Sequence, residues 1–189
     1  MFNVDEPTKQ QRGYAKMLNY AVLYGVTDFG LANQLGGEFS RAEAKELINL
    51  YNERFPTVKG FTQSVIEEAR SKGFTTTMTG RRRYFPDIHA SKFVERNYAE
   101  RQAMNAPIQG TAADMIKLAM LTVRKQLEGS GTRMLLTVHD ELVFELKDGE
   151  ENVLAPIRGL METSLPLNVP IEVDLKVGEN WNEMKAVGR

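Results

Sequence analysis

The chain has no cysteine, which excludes disulfides and thiolate metal sites and is compatible with a reducing compartment. No apolar run approaches the roughly 20 residues that a bilayer-spanning helix needs. The first residues, Met-Phe-Asn-Val-Asp-Glu-Pro-Thr-Lys, lack the basic and then apolar regions of a secretory leader, so a cytosolic protein without membrane partners is expected. There is no internal repeat, low-complexity tract or Pro/Ser linker. Only 2 histidines occur, which makes a His-rich metal cage unavailable. Net charge is also scarce: the formal balance is −1, which argues against an indiscriminately basic nucleic-acid binder.

What is present is ordinary in amount and uneven in distribution. At 189 residues, 42% hydrophobic and 26% charged, the chain can bury one sizeable core, with room for two lobes. From Arg133 onward there are 6 Lys and Arg against 11 Asp and Glu, whereas the preceding part holds 18 against 14. Within that earlier part, residues 72–83 carry four cations (Lys72, Arg81, Arg82, Arg83) and no acid. Such a cluster is either a solvated loop or a phosphate-facing patch; a basic patch facing an acidic hairpin is expected where phosphates meet metal ions.

Periodicity and punctuation lay out the chain. Residues 8–24 read as one helix, opened by Thr8 and Gln11 at capping-box spacing and ended by Gly25. A short segment at 29–35 breaks at Gly36-Gly37. Ser40 then caps a helix to about Arg54, with Glu43 at its third position, and Pro56 starts another over 57–71. Gly73 and Gly80 bracket a β-branched stretch that leads into Tyr84-Phe85-Pro86 and predicts a small hairpin. A long helix is predicted over 91–128, with Pro107 marking a bend or a join. Beyond Gly129-Ser130-Gly131, strands are predicted at 133–138, 142–146 and 171–177, with a helix over 150–163. The sum is an α+β chain, a helical lobe beside one sheet layer.

Three side-chain patterns carry chemistry. Arg12, Lys16, Tyr20 and Tyr24 are spaced by fours, and each step advances about 400° around a helix, so they stay on one face. Two cations followed by two aromatics suit a ligand with a charged end and a flat end, such as a nucleoside triphosphate. Core packing would account for the tyrosines but not for cations continuing their row. A second ladder, Arg101, Asn105 and Gln109, offers three hydrogen-bond donors on one face, suited to the acceptors of a DNA minor groove. Its bland reading is a polar helix face.

The third pattern is a tight connection. Met134-Leu135-Leu136-Thr137-Val138 and Leu142-Val143-Phe144-Glu145-Leu146 are separated only by His139-Asp140-Glu141. Hairpin turns usually carry Gly, Asn or Asp-Gly, so an imidazole and two carboxylates there need another reason. They form either an exposed polar turn or a site for a divalent cation; Mg2+ takes one or two protein carboxylates together with substrate oxygens. His139 is expected to have a structural or substrate-positioning role rather than to bind metal.

The order of these patterns adds a further reading. Arg12-Gly13-Tyr14-Ala15-Lys16-Met17-Leu18-Asn19-Tyr20-Ala21-Val22-Leu23-Tyr24-Gly25 resembles the fingers-helix motif of family A DNA polymerases. Asn105-Ala106-Pro107-Ile108-Gln109-Gly110-Thr111-Ala112-Ala113-Asp114, with Arg101 before it, resembles the palm helix of that family. Val138-His139-Asp140-Glu141 resembles its catalytic carboxylate hairpin, and the likeness reaches Gly178-Glu179-Asn180-Trp181. The resemblance implies helical fingers over residues 1–93 and the C-terminal part of an antiparallel palm over 94–189. It also implies template-directed nucleotidyl transfer from dNTPs to a primer 3′-hydroxyl with two Mg2+ ions. On it, Arg12 and Lys16 hold the triphosphate, Lys16 protonates the leaving pyrophosphate, Tyr20 stacks on the nucleotide and Tyr24 lies near the templating base. Asp140 is then a metal ligand with Glu141 beside it, while His139, Arg101, Asn105 and Gln109 contact primer–template DNA.

The sequence departs from the family pattern in three places. Position 20 is more often Phe, and Tyr20 resembles variants that discriminate poorly against dideoxynucleotides. Ala21 stands where Gly is usual. The family's other metal-binding Asp lies in an upstream Asp-Tyr-Ser-type motif, and here Asp5 is followed by Glu-Pro-Thr. The chain is therefore expected to be a C-terminal polymerase part whose upstream segment is a partner, covalent in the full-length protein. The alternative expectation is a non-catalytic nucleotide- and DNA-binding module that acts only on complementation. A metal phosphohydrolase built on His139-Asp140 would leave both helix ladders unused.

Overall fold

The computed structural model describes residues 5–188; the leaderless reading of residues 1–4 lies outside the described residues. These fall into two compact units divided between Thr111 and Ala112. The first holds α1 (Lys9–Leu23), α2 (Asp28–Gln34), α3 (Arg41–Arg54), α4 (Pro56–Lys72), β1 (Phe74–Thr76), β2 (Arg82–Tyr84) and the first half of α5 (Phe93–Gln126). The second holds the rest of α5, β3 (Arg133–Val138), β4 (Glu141–Glu145), α6 (Leu154–Glu162), β5 (Lys176–Val177) and β6 (Lys185–Ala186).

Helix starts follow local chemistry. The Thr8 hydroxyl accepts from Gln11 N while the Gln11 side chain accepts from Thr8 N, and Ser40 and Glu43 repeat this reciprocal box at α3. Each box satisfies two backbone N–H groups that a helix start otherwise leaves bare, worth about 1 kcal/mol. Pro56 opens α4, where its missing N–H costs nothing, and α4 closes on Gly73 in the left-handed region.

Three small cores result. Leu18 and Ala21 of α1 pack with Leu31, Ala32, Leu35 and Ala44 from α2, its C-terminal cap and α3. Leu31 is completely buried, so truncating it to Ala costs roughly 2–5 kcal/mol. A second cluster joins Ala69, Phe85, Ile88, Ala99, Ala103 and Ala106, and its alanines let α4 and α5 approach closely. In the second unit Val123, Leu127 and Ile157 form the centre, with Met134 and Phe144 of the β3–β4 hairpin packed on them.

The α+β class holds, and every strand pair is antiparallel, but the described strands make three separate two-stranded ribbons instead of one layer. The strand expected at 171–177 shows why. Its residues alternate between half-buried and exposed as a strand should, yet only Lys176 and Val177 enter a strand ladder, opposite Ala186 and Lys185. Alternation sets which side faces inward and says nothing about whether a neighbouring backbone is there to pair. The helix expected at 150–163 begins with a 3₁₀ turn, Glu151–Val153, before α6. Pro107 neither breaks nor splits α5.

Glu150 closes the loop between α5 and β3. Its carboxylate accepts from the Ser130 hydroxyl, from Gly131 N at 2.9 Å, from Thr132 N at 3.0 Å and from the Thr132 hydroxyl at 2.8 Å. These donors, the Ser130 hydroxyl foremost, pull its pKa down to about 2. Because the folded value lies below the unfolded value of about 4.3, this stabilisation is fully present above the unfolded pKa. It is lost as pH falls through the folded one. Glu150→Gln is therefore expected to lower the thermal midpoint at pH 7 and to converge with the wild type between about pH 4 and pH 2; equal midpoints at pH 7 would refute the role.

Candidate functional site

Helix α1 is two-faced. Leu18 and Ala21 point into the core, while Arg12, Lys16, Tyr20 and Tyr24 are all exposed on the other side. The Tyr20 and Tyr24 rings stack, with centroids 5.9 Å apart and planes 10° from parallel. Lys16 Nζ lies 5.9 Å from the Tyr20 ring centroid. The row expected from spacing is thus a continuous surface in which an ammonium leads onto two parallel rings. A flat apolar ligand gains stacking on such rings, and anionic groups gain from the cations, about 0.5–1 kcal/mol for an exposed cation–π contact alone.

The helix is held at both ends by contacts that spacing does not reveal. Near its start, Tyr14 donates to the Glu38 carboxylate and accepts from Gln10 Nε2 at 2.9 Å, with its ring edge-on to Phe39 at 5.7 Å. The Glu38 hydrogen bond holds the Tyr14 phenol above its ordinary pKa. Past the C-terminus, Gly25 adopts φ 64°, and a Cβ built there would sit 3.1 Å from Arg101 Cγ and 3.3 Å from Met104 Sδ. Only a residue without a side chain fits both the left-handed backbone and the tight approach. The aromatic end of the first ladder therefore adjoins the start of the second.

That second ladder runs inward to outward. Arg101 and Asn105 are half-buried and Gln109 is exposed. Asn105 Nδ2 donates to the Arg101 carbonyl at 2.9 Å, while its buried Oδ1 has no partner among the described residues. An amide oxygen left without a partner costs about 1–3 kcal/mol. Just beyond, the β1–β2 turn leans on α5: Arg81 donates to the Gly110 carbonyl at 3.0 Å and Met78 N to the Thr111 hydroxyl at 3.1 Å. A Cβ on Gly110 would meet Thr77 Cγ2 at 2.5 Å, so the small residue after Gln109 is what admits the turn.

In the second unit Val138 pairs with Glu141, which leaves His139-Asp140 as a two-residue turn and makes Glu141 the first residue of β4. His139 has φ 54°, alone among described non-glycine residues in being positive. A positive φ at the first turn position only is the sign pattern of a II′ hairpin, where Gly is the usual choice. His139, Asp140 and Glu141 are all exposed, and Thr137 Oγ1 donates to the Glu141 carbonyl at 3.1 Å behind them. A bulge between Met134 and Leu136 shifts the register so that Met134 faces the core while Leu135 and Leu136 lie 57% and 43% exposed. Among the described residues, no three His, Asp or Glu side chains gather as a metal-binding group. Asp140 and Glu141 supply hard oxygen donors of the kind divalent cations take, as a partial set.

Comparison with known proteins bears on both units. Residues 1–183 match the family described as DNA polymerase family A. The chain is 45% identical over 184 residues to DNA polymerase I of Streptococcus pneumoniae serotype 4, covering 96% of this chain and 21% of that protein. It is 44% identical over 184 residues to DNA polymerase I of Bacillus caldotenax, with the same coverage. Among solved structures, it superposes on the POL domain of Pol1 from M. smegmatis, in complex with DNA primer-template and dNTP, with a TM-score of 0.83 at 43% identity. That match covers 89% of this chain and 30% of the other. The chain thus spans about a fifth of the length of the curated relatives it matches.

Gly25→Ala is expected to destabilise by about 1–3 kcal/mol, since it adds left-handed strain to a contact at α5. His139→Gly is expected to stabilise by about 1 kcal/mol by relieving strain of the same kind. Urea unfolding midpoints check both, and an unchanged midpoint for Gly25→Ala would show that α1 does not depend on this approach.

Proposed function

Since the chain belongs to DNA polymerase family A, we propose that it serves template-directed DNA synthesis, the transfer of a nucleotidyl group from a dNTP to a primer 3′-hydroxyl. The observation that carries this is the exposed row on α1, with Lys16 beside Tyr20 and the two parallel tyrosine rings. In this reading residues 1–93 act as the fingers and 94–189 as the C-terminal part of the palm. Primer–template DNA and dNTPs are the partners, the upstream polymerase segment completes the enzyme, and the setting is the cytoplasm at the nucleoid.

The roles follow from charge and shape. Arg12 and Lys16 hold the triphosphate oxygens, and Tyr20 stacks on the base with Tyr24 next to the templating position. The primer 3′-oxygen forms a bond to the α-phosphorus as the bond to the bridging oxygen of the β-phosphate breaks. Lys16 gives a proton to the departing pyrophosphate, a contribution of the size seen for general acids, about 10²–10⁴-fold. Arg101, Asn105 and Gln109 present donors to minor-groove acceptors, Asn105 exchanging its Nδ2 hydrogen bond to the Arg101 carbonyl for one to a strand. Asp140 and Glu141 would hold Mg2+, with His139 beside the primer end. Bound divalent metal supplies Lewis-acid stabilisation of charge on the transferring phosphoryl group.

A second reading rests on the partial donor set. With Asp140 and Glu141 the carboxylates in the turn, and no three-residue metal group among the described residues, the isolated chain binds nucleotide and DNA without turning them over. Catalysis then requires the upstream segment. Primer extension with Mg2+ and dNTPs separates the two: extension by the 189-residue chain alone would refute its incompleteness, and extension only on adding the upstream segment would support it. In the complemented enzyme, Lys16→Ala is expected to slow the transfer step by about 10²-fold or more, and Asp140→Asn to abolish it. Tyr20→Phe is expected to reduce dideoxynucleotide use relative to dNTP use, because the Tyr20 hydroxyl supplies a polar partner when the sugar lacks its own; equal ratios would remove that role.

A further inference from the structure

The β1–β2 ribbon carries chemistry that nucleotidyl transfer does not use. Phe74 pairs with Tyr84 and Thr76 with Arg82, so these four share one face, while Thr75 and Arg83 pair on the other. On the first face the Arg82 guanidinium carbon lies 4.8 Å from the Phe74 ring centroid, and the Phe74 and Tyr84 rings are 5.3 Å apart. Tyr84 is 63% exposed, and all of β2 faces solvent. The other face is anchored: Thr75 and Thr77 are buried, and the turn is tied to α5 through Arg81 and Met78.

A ribbon needed only to cover α5 would keep a polar outer face. Here an exposed Tyr84 ring, a half-buried Phe74 ring and the Arg82 guanidinium plane share one face of an anchored element, in a stretch, 72–84, with four cations and no acid. The nearest preceding acid, Glu68, is engaged by Lys72 at 2.9 Å. Planar groups with a cationic rim are what unpaired bases and their phosphates require. A duplex hides its base faces within the stack, so it cannot use the rings. The ribbon has no Asn, Gln, Asp or Glu between 73 and 84, and stacking on a ring is sequence-tolerant because every base has a π-face.

We propose that the outer face of the β1–β2 ribbon, Phe74, Arg82 and Tyr84, binds single-stranded nucleic acid, an unpaired base stacking on Tyr84 while Arg82 meets the backbone. The proposal deepens the DNA-synthesis reading, on which the strand is unpaired template; the contact chemistry itself does not depend on that reading.

The test is fluorescence anisotropy of a labelled dT10 oligonucleotide with the full chain across a salt series, against a blunt duplex of equal length. Tyr84→Leu keeps an apolar neighbour for Phe74 and removes the ring; it is expected to weaken dT10 binding by about tenfold and to leave the duplex unchanged. Arg82→Gln is expected to weaken dT10 and to reduce the salt slope by about 0.7, while Arg82→Lys retains the slope and loses stacking. Lys45→Gln, on the surface of α3, serves as the control and is expected to bind dT10 as the wild type does. Absence of dT10 binding, identical dT10 affinity in Tyr84→Leu, or equal losses on duplex and single strand would each overturn the proposal. Failure of primer extension by the complemented enzyme, with the Tyr84 effect on dT10 intact, would instead count against the DNA-synthesis reading alone.

Discussion

The contact between Gly25 and α5 constrains the first unit more than any other feature. A helix that ends on a left-handed residue reverses sharply, and here the reversal brings backbone to within side-chain distance of Arg101 and Met104. The direction in which α1 leaves its last turn, and hence where Tyr20 and Tyr24 lie relative to the start of the second ladder, is set by that approach. The Tyr14–Glu38 hydrogen bond fixes the opposite end of the same helix. Between them, Leu18 and Ala21 make the core contacts of the helix, and the row of Arg12, Lys16, Tyr20 and Tyr24 stays exposed.

A comparable division operates in the second unit. The β3–β4 hairpin is held through Met134 and Phe144 on the Val123, Leu127 and Ile157 core, well back from its tip. The tip itself is strained at His139 and carries adjacent carboxylates, two features that each oppose folding. Strain of about 1–3 kcal/mol and the repulsion of neighbouring anions persist only where the rest of the hairpin over-determines the turn. The bulge beside Leu135 and the hydrogen bond from Thr137 to the Glu141 carbonyl contribute to that, and Glu150 secures the loop that leads into β3.

Much of this was legible in the sequence, and the legible parts share a length scale. Both capping boxes, the Pro56 start, the Gly25 stop and the 74–84 hairpin depend on residues a few positions apart, and each is found where its pattern indicates. The α1 row was readable because helical geometry converts spacing by four into a face. What was not readable depends on distant partners. Nothing near Gly25 names Arg101, and nothing near Tyr14 names Glu38. The 171–177 segment has strand alternation but only a short ladder, and the Glu150 cap required knowing that four donors from Ser130, Gly131 and Thr132 would converge on one carboxylate. Within the carboxylate turn, the identity of the residues was evident, but the placement of Glu141 on β4 depended on a register that a bulge resets. The cation–aromatic face of β1–β2 had a period-two signal in Phe74, Thr76, Arg82 and Tyr84 that becomes visible only once the hairpin register is known.

The distribution of charge follows the same logic as the distribution of strain. The segment before Arg133 carries the excess of cations, and the segment after it the excess of acids, so the near-zero net charge is a cancellation and not an absence. Cations and carboxylates mixed on one surface would neutralise each other, and keeping them on separate segments avoids that. Some of these cations are paired with acids, as Arg41 is with Asp28 and Lys72 with Glu68, and exposed charges are screened within about 8–10 Å at physiological salt, so their repulsion costs little. Placing the acids on a turn keeps them hydrated until a cation arrives. The exposed Arg12 and Lys16 stand on a helix whose apolar support, Leu18 and Ala21, lies on its opposite face, and the exposed Asp140 and Glu141 extend from a hairpin held on its own core through Met134 and Phe144.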